Sequence, residues 1–222
     1  MRLVAISDTH CRLRKVTVPS GDLLIHAGDL TFRGDILEIS QELRELGRIA
    51  KNFTYGCVLT AGNHDFLAER NPDLMKQMCD DQGLVYLDHQ TATVGGFQVF
   101  GSAYSPEFNR WAFNVPRGPA LKFLWDQIPD DTQVLVTHGP PMGILDPVER
   151  YNNSTGLIEV EHVGCADLYA RTKELKQLKL HVFGHIHLGY GVHNSNELTY
   201  VNASVCNEQY KPTNTPIVLD LT

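Results

Sequence analysis

The sequence predicts an α/β layered fold, with a mixed sheet or two packed sheets flanked by helices. Short apolar runs recur from one end to the other, helical periodicity separates several of them, and the later part of the chain is denser in strand signals. The chain has 222 residues, of which 42% are hydrophobic and 20% charged, long enough and apolar enough for a full core.

The strands come first. Residues 3–6, 23–27, 55–61, 98–100 within 91–103, 134–137, 179–183 and 217–219 are short runs rich in Val, Ile and Leu, bounded mostly by Gly, Asp or Asn. Near-continuous apolar runs suit strands buried on both faces. Ile36, Ile39, Leu43, Leu46 and Ile49 follow helical spacing, as do Leu74 and Met78, and Ala166, Leu168 and Ala170 with Leu175 and Leu178. Gly95-Gly96 and Asn194-Ser195-Asn196 read as hairpin punctuation. Residues 104–119 and 139–164 read as long irregular stretches, which in compact proteins are usually functional. No linker, repeat or low-complexity tract divides the chain, so residues 1–222 are expected to form a single domain.

The balance of 19 Lys+Arg against 26 Asp+Glu, a formal charge of −7, argues against a duplex nucleic-acid binder. It leaves an anionic substrate open, because bound metal ions reverse the local sign. The five scattered cysteines include no CxxC pair, which fits a reducing compartment better than a disulfide framework or a structural zinc site. No apolar run is long enough for a membrane span, and the first residues lack a secretory core. The expectation is a cytoplasmic protein with no membrane partner and with its oligomeric state left open.

The chemistry gathers where the strands end. Five apolar runs lead into Asp8-Thr9-His10, Gly28-Asp29, Gly62-Asn63-His64-Asp65, His138-Gly139 and Gly184-His185-Ile186-His187. In open α/β sheets, ligands bind beyond the carboxyl ends of the strands, and adjacent glycines let backbone approach them closely. Asp8/His10 and His185/His187 are two residues apart, and in extended chain such pairs point to one side, so each pair can address one ion. Asp8, His10, Asp29, Asn63, His138, His185 and His187 supply seven donors. With one carboxylate bridging, they would give each of two metals four protein ligands, as two-metal hydrolytic sites require. Imidazoles favour Mn, Fe, Zn or Ni over Ca or Mg alone. Two divalent cations against two carboxylates leave the centre cationic, which favours phosphate and makes hydroxide available near neutral pH.

Taken in order, Asp8-x-His10, Gly28-Asp29, Gly62-Asn63-His64-Asp65, His138-Gly139 and Gly184-His185-x-His187 resemble the metallophosphoesterase (calcineurin-like) signature, across residues 8 to 187. The stretches HAGDLT, THGPPMGILD, FGHIHLGYG and NASVCNEQY are similar to the metallophosphodiesterase-domain (MPPED) branch, related to class III cyclic nucleotide phosphodiesterases. The resemblance implies a four-layer α/β/β/α sandwich and a centre of two divalent transition-metal ions, Mn favoured. It implies that Asp8, His10 and His187 hold one ion, that Asn63, His138 and His185 hold the other, and that Asp29 bridges them. It further implies that His64 acts on the leaving-group side, with Asp65 or Asp35 orienting its ring.

The motif GDxxDRG of phosphoprotein phosphatases is absent, because Phe32 stands where its second Asp would lie. The chain keeps His185, so a complete two-metal site is expected. The reading is therefore a metal-dependent phosphodiesterase acting on cyclic nucleotides or other small phosphodiesters through a metal-bridging hydroxide. The alternatives are a phosphomonoesterase or protein phosphatase, and a non-catalytic scaffold that keeps the metal pocket.

Other residues carry plainer expectations. Asn109, Arg110 and Trp111 are substrate candidates, set against a reading of Trp111-Ala112-Phe113-Asn114 as a hydrophobic plug that anchors its loop. His26 is expected in the core, Cys11 as a bystander, Arg12 and Arg14 on the surface, and Glu42, Arg44, Glu45 and Arg48 on a solvated helix face.

Overall fold

Two mixed sheets stack between two layers of helix in a computed structural model that describes residues 1–196 and 198–221. The first sheet has the order Ile217–Asp220, Arg2–Ile6, Leu23–Ala27, Cys57–Thr60, Val85–Tyr86. Its neighbours are parallel except for the antiparallel pair of Ile217–Asp220 with Arg2–Ile6. The second sheet runs Gly191–Ser195, Leu198–Asn202, Leu180–Phe183, Val134–Thr137, Phe97–Ser102, Gln90–Val94, with a parallel centre and an antiparallel pair at each edge.

Successive side chains of a strand point to opposite faces, and the core follows that rule. Val4, Ile6, Leu24 and Leu59 pack with Ile39, Leu43, Leu46 and Met75 of the helices Ile36–Ala50 and Pro72–Asp80. Leu3, Ala5, Leu23, Ile25 and Val58 face the other way and meet Val99, Val134, Val136, Val182 and Val201 between the sheets. Phe100 and Leu135 carry the outer face of the second sheet against Leu121, Trp125 and Leu168 of the helices Pro119–Trp125 and Ala166–Glu174. The four-layer α/β/β/α sandwich follows from these three interfaces, and burial on both faces is why the strands read as unbroken apolar runs.

Several local expectations shift. The strand placed at 55–61 begins at Cys57, after Gly56 at φ +68°. Leu175 and Leu178 lie beyond the helix end at Glu174, yet both are buried in the outer core. Residues 139–164 contain an antiparallel ribbon, Pro147–Asn152 paired with Leu157–His162. Glu42 and Glu45 are not on a solvated face: they are 8% and 9% exposed. The short helix Leu13–Lys15 lies against that face, and Glu45 pairs with Arg48 at 2.6 Å and Arg14 at 3.5 Å.

Candidate metal centre

Each strand-end loop turns sharply where the chemistry begins. Asp8, His10, Asp29 and His185 adopt φ of +54°, +41°, +54° and +68°, a left-handed region that non-glycine residues seldom enter. The extended geometry expected for Asp8/His10 and His185/His187 is therefore replaced by left-handed turns. The second pair also divides, with His187 grouping with Asp8 and His10, and His185 with Asp29 and His138. Parallel loops support one another through Asp8 N–H to Gly28 O at 2.9 Å and His10 N–H to Asp29 O at 3.1 Å. Glycine is required at two of the approaches. A Cβ at Gly184 would stand 2.0 Å from Asp8 Oδ2, and one at Gly62 would stand 2.3 Å from Asp29 Oδ1.

The structure brings all seven expected donors together. His187 Nε2 lies 3.3 Å and His10 Nε2 3.9 Å from Asp8 Oδ1, and the two imidazole nitrogens are 3.3 Å apart. Asp29 Oδ2 lies 3.4 Å from His138 Nε2, 3.8 Å from His10 Nε2 and 4.0 Å from His64 Nε2. Asn63 Oδ1 is 2.8 Å from His138 Nε2. Asp29 Oδ1 is engaged by the His64 N–H at 2.8 Å, so Oδ2 is the oxygen that faces both groups. Asp8 accepts the His185 N–H on both oxygens and the Ser204 hydroxyl on Oδ2 at 2.8 Å.

The donor set fits divalent cations. The Nδ1 atoms of His10, His138 and His187 lie 3.1, 3.0 and 2.9 Å from the carbonyls of Thr31, Ala27 and Asn207. A carbonyl can only accept, so those Nδ1 atoms carry protons and the rings turn Nε2 inward, the nitrogen that would bind a metal once free of its own proton. His187 Nε2 lies 3.3 Å from both Asp8 Oδ1, which can only accept, and His10 Nε2, so a proton on it holds the position between three donors that a cation would fill. The charges agree. Burial would raise the Asp8 and Asp29 carboxyls, but the surrounding imidazoles, His187 beside Asp8 and His138 beside Asp29, hold both well below the usual carboxylate range. Burial lowers His10 and His185 to about 4, leaving them neutral as ligands must be. His138 and His187 are the exceptions: despite burial, the Asp29 charge lifts His138 to about 9 and the Asp8 carboxylate raises His187, so protons stand where cations would in the metal-free protein.

His64 reaches the same centre from above Trp111, with ring centroids 4.2 Å apart and planes 33° apart. Neither expected acid orients it. Asp35 caps the helix Ile36–Ala50, accepting the N–H groups of Leu37 and Glu38. Asp65 accepts from Leu30 N, Thr31 N, Thr31 Oγ1 and Gly62 N and shapes the loops instead. The partner of His64 Nδ1 is the Phe32 carbonyl at 2.8 Å. That carbonyl is set in turn by Glu38, whose carboxylate accepts the N–H groups of Phe32, Arg33 and Gly34.

A cavity of about 810 Å³ opens over Asp29, Asn63, His64, His185 and His187. Asn109 and Trp111 line it; Arg110 is exposed and does not. Ala112 and Phe113 are buried as a plug would be, while Trp111 beside them lines the cavity. His26 is core, bonded to Thr9 Oγ1 at 3.0 Å, and burial with the Glu38 charge pushes the Cys11 thiol up to about 12, which keeps it protonated. Sequence reasoning missed Ser204, Asn207 and Tyr210. The Tyr210 ring stands edge-on to His10 at 4.8 Å and to Phe32 at 5.0 Å. All three follow the strand Leu198–Asn202, a sixth apolar run leading into polar residues, and that ending is the signal that finds them.

A sequence model described as Calcineurin-like phosphoesterase matches residues 1–189. The chain is 40% identical to Metallophosphoesterase domain-containing protein 1 of Homo sapiens, over 99% of this chain and 71% of that protein. It is 34% identical to a UPF0046 protein of Caenorhabditis elegans, over 98% of this chain and 74% of that one. Among solved structures, an archaeal phosphodiesterase shares the fold with a TM-score of 0.50 and 14% identity, over 99% of this chain and 93% of that one.

Proposed function

This chain belongs to the calcineurin-like phosphoesterase family, and from that premise we propose that it is a two-metal phosphodiesterase for small phosphodiesters, cyclic nucleotides among them. The family is one of divalent-metal-dependent hydrolases of phosphate esters. The observation that carries the reading is Asp29 Oδ2 standing 3.8 Å from His10 Nε2 and 3.4 Å from His138 Nε2, one ring from each donor group, at the floor of an open cavity.

We assign Asp8, His10 and His187 to one ion, Asn63, His138 and His185 to the other, and Asp29 Oδ2 to both. When bound, such a pair supplies Lewis acidity and a water acidified toward neutral pH, with Mn²⁺ the favoured ion and Fe, Zn or Ni suited to the same donors. His64 is not needed to complete either donor set. Its Nδ1 is fixed on the Phe32 carbonyl, so its Nε2 is free to carry a proton to the departing ester oxygen. Trp111 packs at a tilt against that ring, centroids 4.2 Å apart, and keeps it in place. Phe32 and Tyr210 give the site an apolar rim where a phosphoprotein phosphatase would carry a second Asp, which supports a neutral organic arm on the phosphate. The archaeal neighbour, itself a phosphodiesterase, is in keeping with that choice. Residues 1–222 are read as one metallophosphoesterase domain, because strand ends from both sheets supply the donors. A cytoplasmic location is supported by five cysteines that are all unpaired; no described helix is long and apolar enough to cross a membrane.

The assay is hydrolysis of bis-p-nitrophenyl phosphate against p-nitrophenyl phosphate with Mn²⁺. The diester is expected to turn over faster. The reverse order would replace the diesterase reading with the phosphomonoesterase one, and no turnover of either would favour the scaffold.

A further inference from the structure

The cavity has a second polar station that the reaction at the metals does not use. Asp146 is fully buried, and its Oδ2 accepts the N–H groups of Gly143 at 2.9 Å and Gly164 at 2.8 Å. Its Oδ1 takes Nδ1 of His162 at 2.6 Å. His162 lies at the end of the ribbon strand Leu157–His162, its side chain is 55% exposed, and it lines the same cavity as Asp29 and His64. The ribbon packs beside the turn His187–Gly189, so this station sits next to the metal centre. A buried carboxylate holding one nitrogen of an imidazole whose other nitrogen meets a cavity is the way a protein aims a histidine at a ligand.

The neighbouring charges on this wall are already engaged. Arg150 pairs with Glu161, and Arg117 holds the carbonyls of Gly164 and Val163. Two polar groups lining the cavity here have no partner among the described residues: His162 Nε2 and the Glu149 carboxylate. With Nδ1–H directed at Asp146, the His162 ring turns Nε2 to the cavity, where its lone pair can accept, and the Glu149 carboxylate accepts as well. His162 pairs with Pro147 and Glu149 with Val160, which puts both side chains on one face of the ribbon, and two acceptors on one face favour a ligand that donates.

We infer that the Asp146–His162 pair, with Glu149, is a substrate-recognition subsite for an ester arm carrying hydrogen-bond donors, hydroxyl or amino groups, attached to the phosphate held at the metals. This inference rests on the phosphoesterase reading and names the kind of arm its substrate carries. Asp146 is the positioning residue and His162 Nε2 the contact atom.

Two variants separate recognition from a purely structural tether. His162→Asn puts an amide where Nδ1 lies, keeping the Asp146 bond and removing Nε2. His162→Gln puts an amide oxygen near the Nε2 position and loses the Asp146 bond. Titration calorimetry on the Mn²⁺-loaded protein compares thymidine 5′-monophosphate, whose arm has donors, with phenyl phosphate, whose arm has none. We expect His162→Asn to raise the ratio of the two dissociation constants roughly tenfold, the scale of one lost hydrogen bond, and His162→Gln to keep it within about threefold of the wild type. An unchanged ratio in His162→Asn, or a shift in His162→Gln alone, overturns the subsite. Wild-type turnover of bis-p-nitrophenyl phosphate, measured on the same preparation, reads the phosphoesterase assignment separately.

Discussion

The floor and the loop wall of the cavity are built on opposite principles. The floor donors stand on loops that leave buried parallel strands, and the rings of His10, His138 and His187 are each held by a backbone carbonyl. The loop wall comes from residues 104–119 and 139–164, two segments outside both large sheets, joined where Arg117 reaches Val163 and Gly164. Chemistry that tolerates little misplacement sits on the rigid scaffold, and recognition, which varies with substrate, sits on loops that can change without disturbing it.

The largest expected effect tests the floor. His64→Ala should lower kcat by roughly 10²–10⁴, the range for a lost general acid, while bound metal stays at the wild-type level. Loss of metal along with activity would make His64 a ligand and dissolve its separate role. A smaller effect tests the wall. Arg117→Met removes two hydrogen bonds, to Gly164 O at 2.7 Å and Val163 O at 2.5 Å, and should raise KM about three- to tenfold, more than it lowers kcat. A fall in kcat with KM unchanged would place the wall in the chemistry and erase the contrast.

A separate effect is on stability, from a histidine that takes no part in the site. His181 is buried, its Nε2 bonded to Thr137 Oγ1 at 2.8 Å, and burial lowers it to about 3. The unfolded ring, near its ordinary value of about 6.5, takes up a proton that the folded ring refuses. The neutral ring thus contributes stability in full above about pH 6.5, and that contribution is lost as pH falls toward 3. Urea unfolding of EDTA-treated protein should show a shallower loss between pH 6.5 and 4 in His181→Phe than in the wild type, by up to about 1.4 kcal/mol per pH unit. Equal slopes would mean that the ring is protonated in the fold.

What the sequence reveals follows the same division. The floor is legible because a buried strand ending in Asp, Asn or His is an uncommon pattern, and five such endings occur, four of them beside a Gly. The left-handed turns at Asp8, His10 and His185 are not legible, since nothing in Asp-Thr-His marks a positive φ. The orientation of His64 is hidden for another reason: its partner is a main-chain carbonyl, which every residue possesses, so Asp35 and Asp65 attract attention that belongs to Phe32. The ribbon does leave a trace, a period of two in Ile158-Glu159-Val160-Glu161, but the strand is exposed and lacks the apolar density that marks the others. The burial of Glu42 and Glu45 depends on the helix Leu13–Lys15 folding back from a distant part of the chain, which helical periodicity cannot report.

Elemental analysis by mass spectrometry of active, Mn²⁺-reconstituted protein bears most directly on the paired donor groups that share Asp29. The account predicts two ions per chain in the wild type and depletion of both in Asp29→Asn, because Oδ2 faces both groups. One ion or none in the active wild type, or loss of a single ion on substitution, would contradict it.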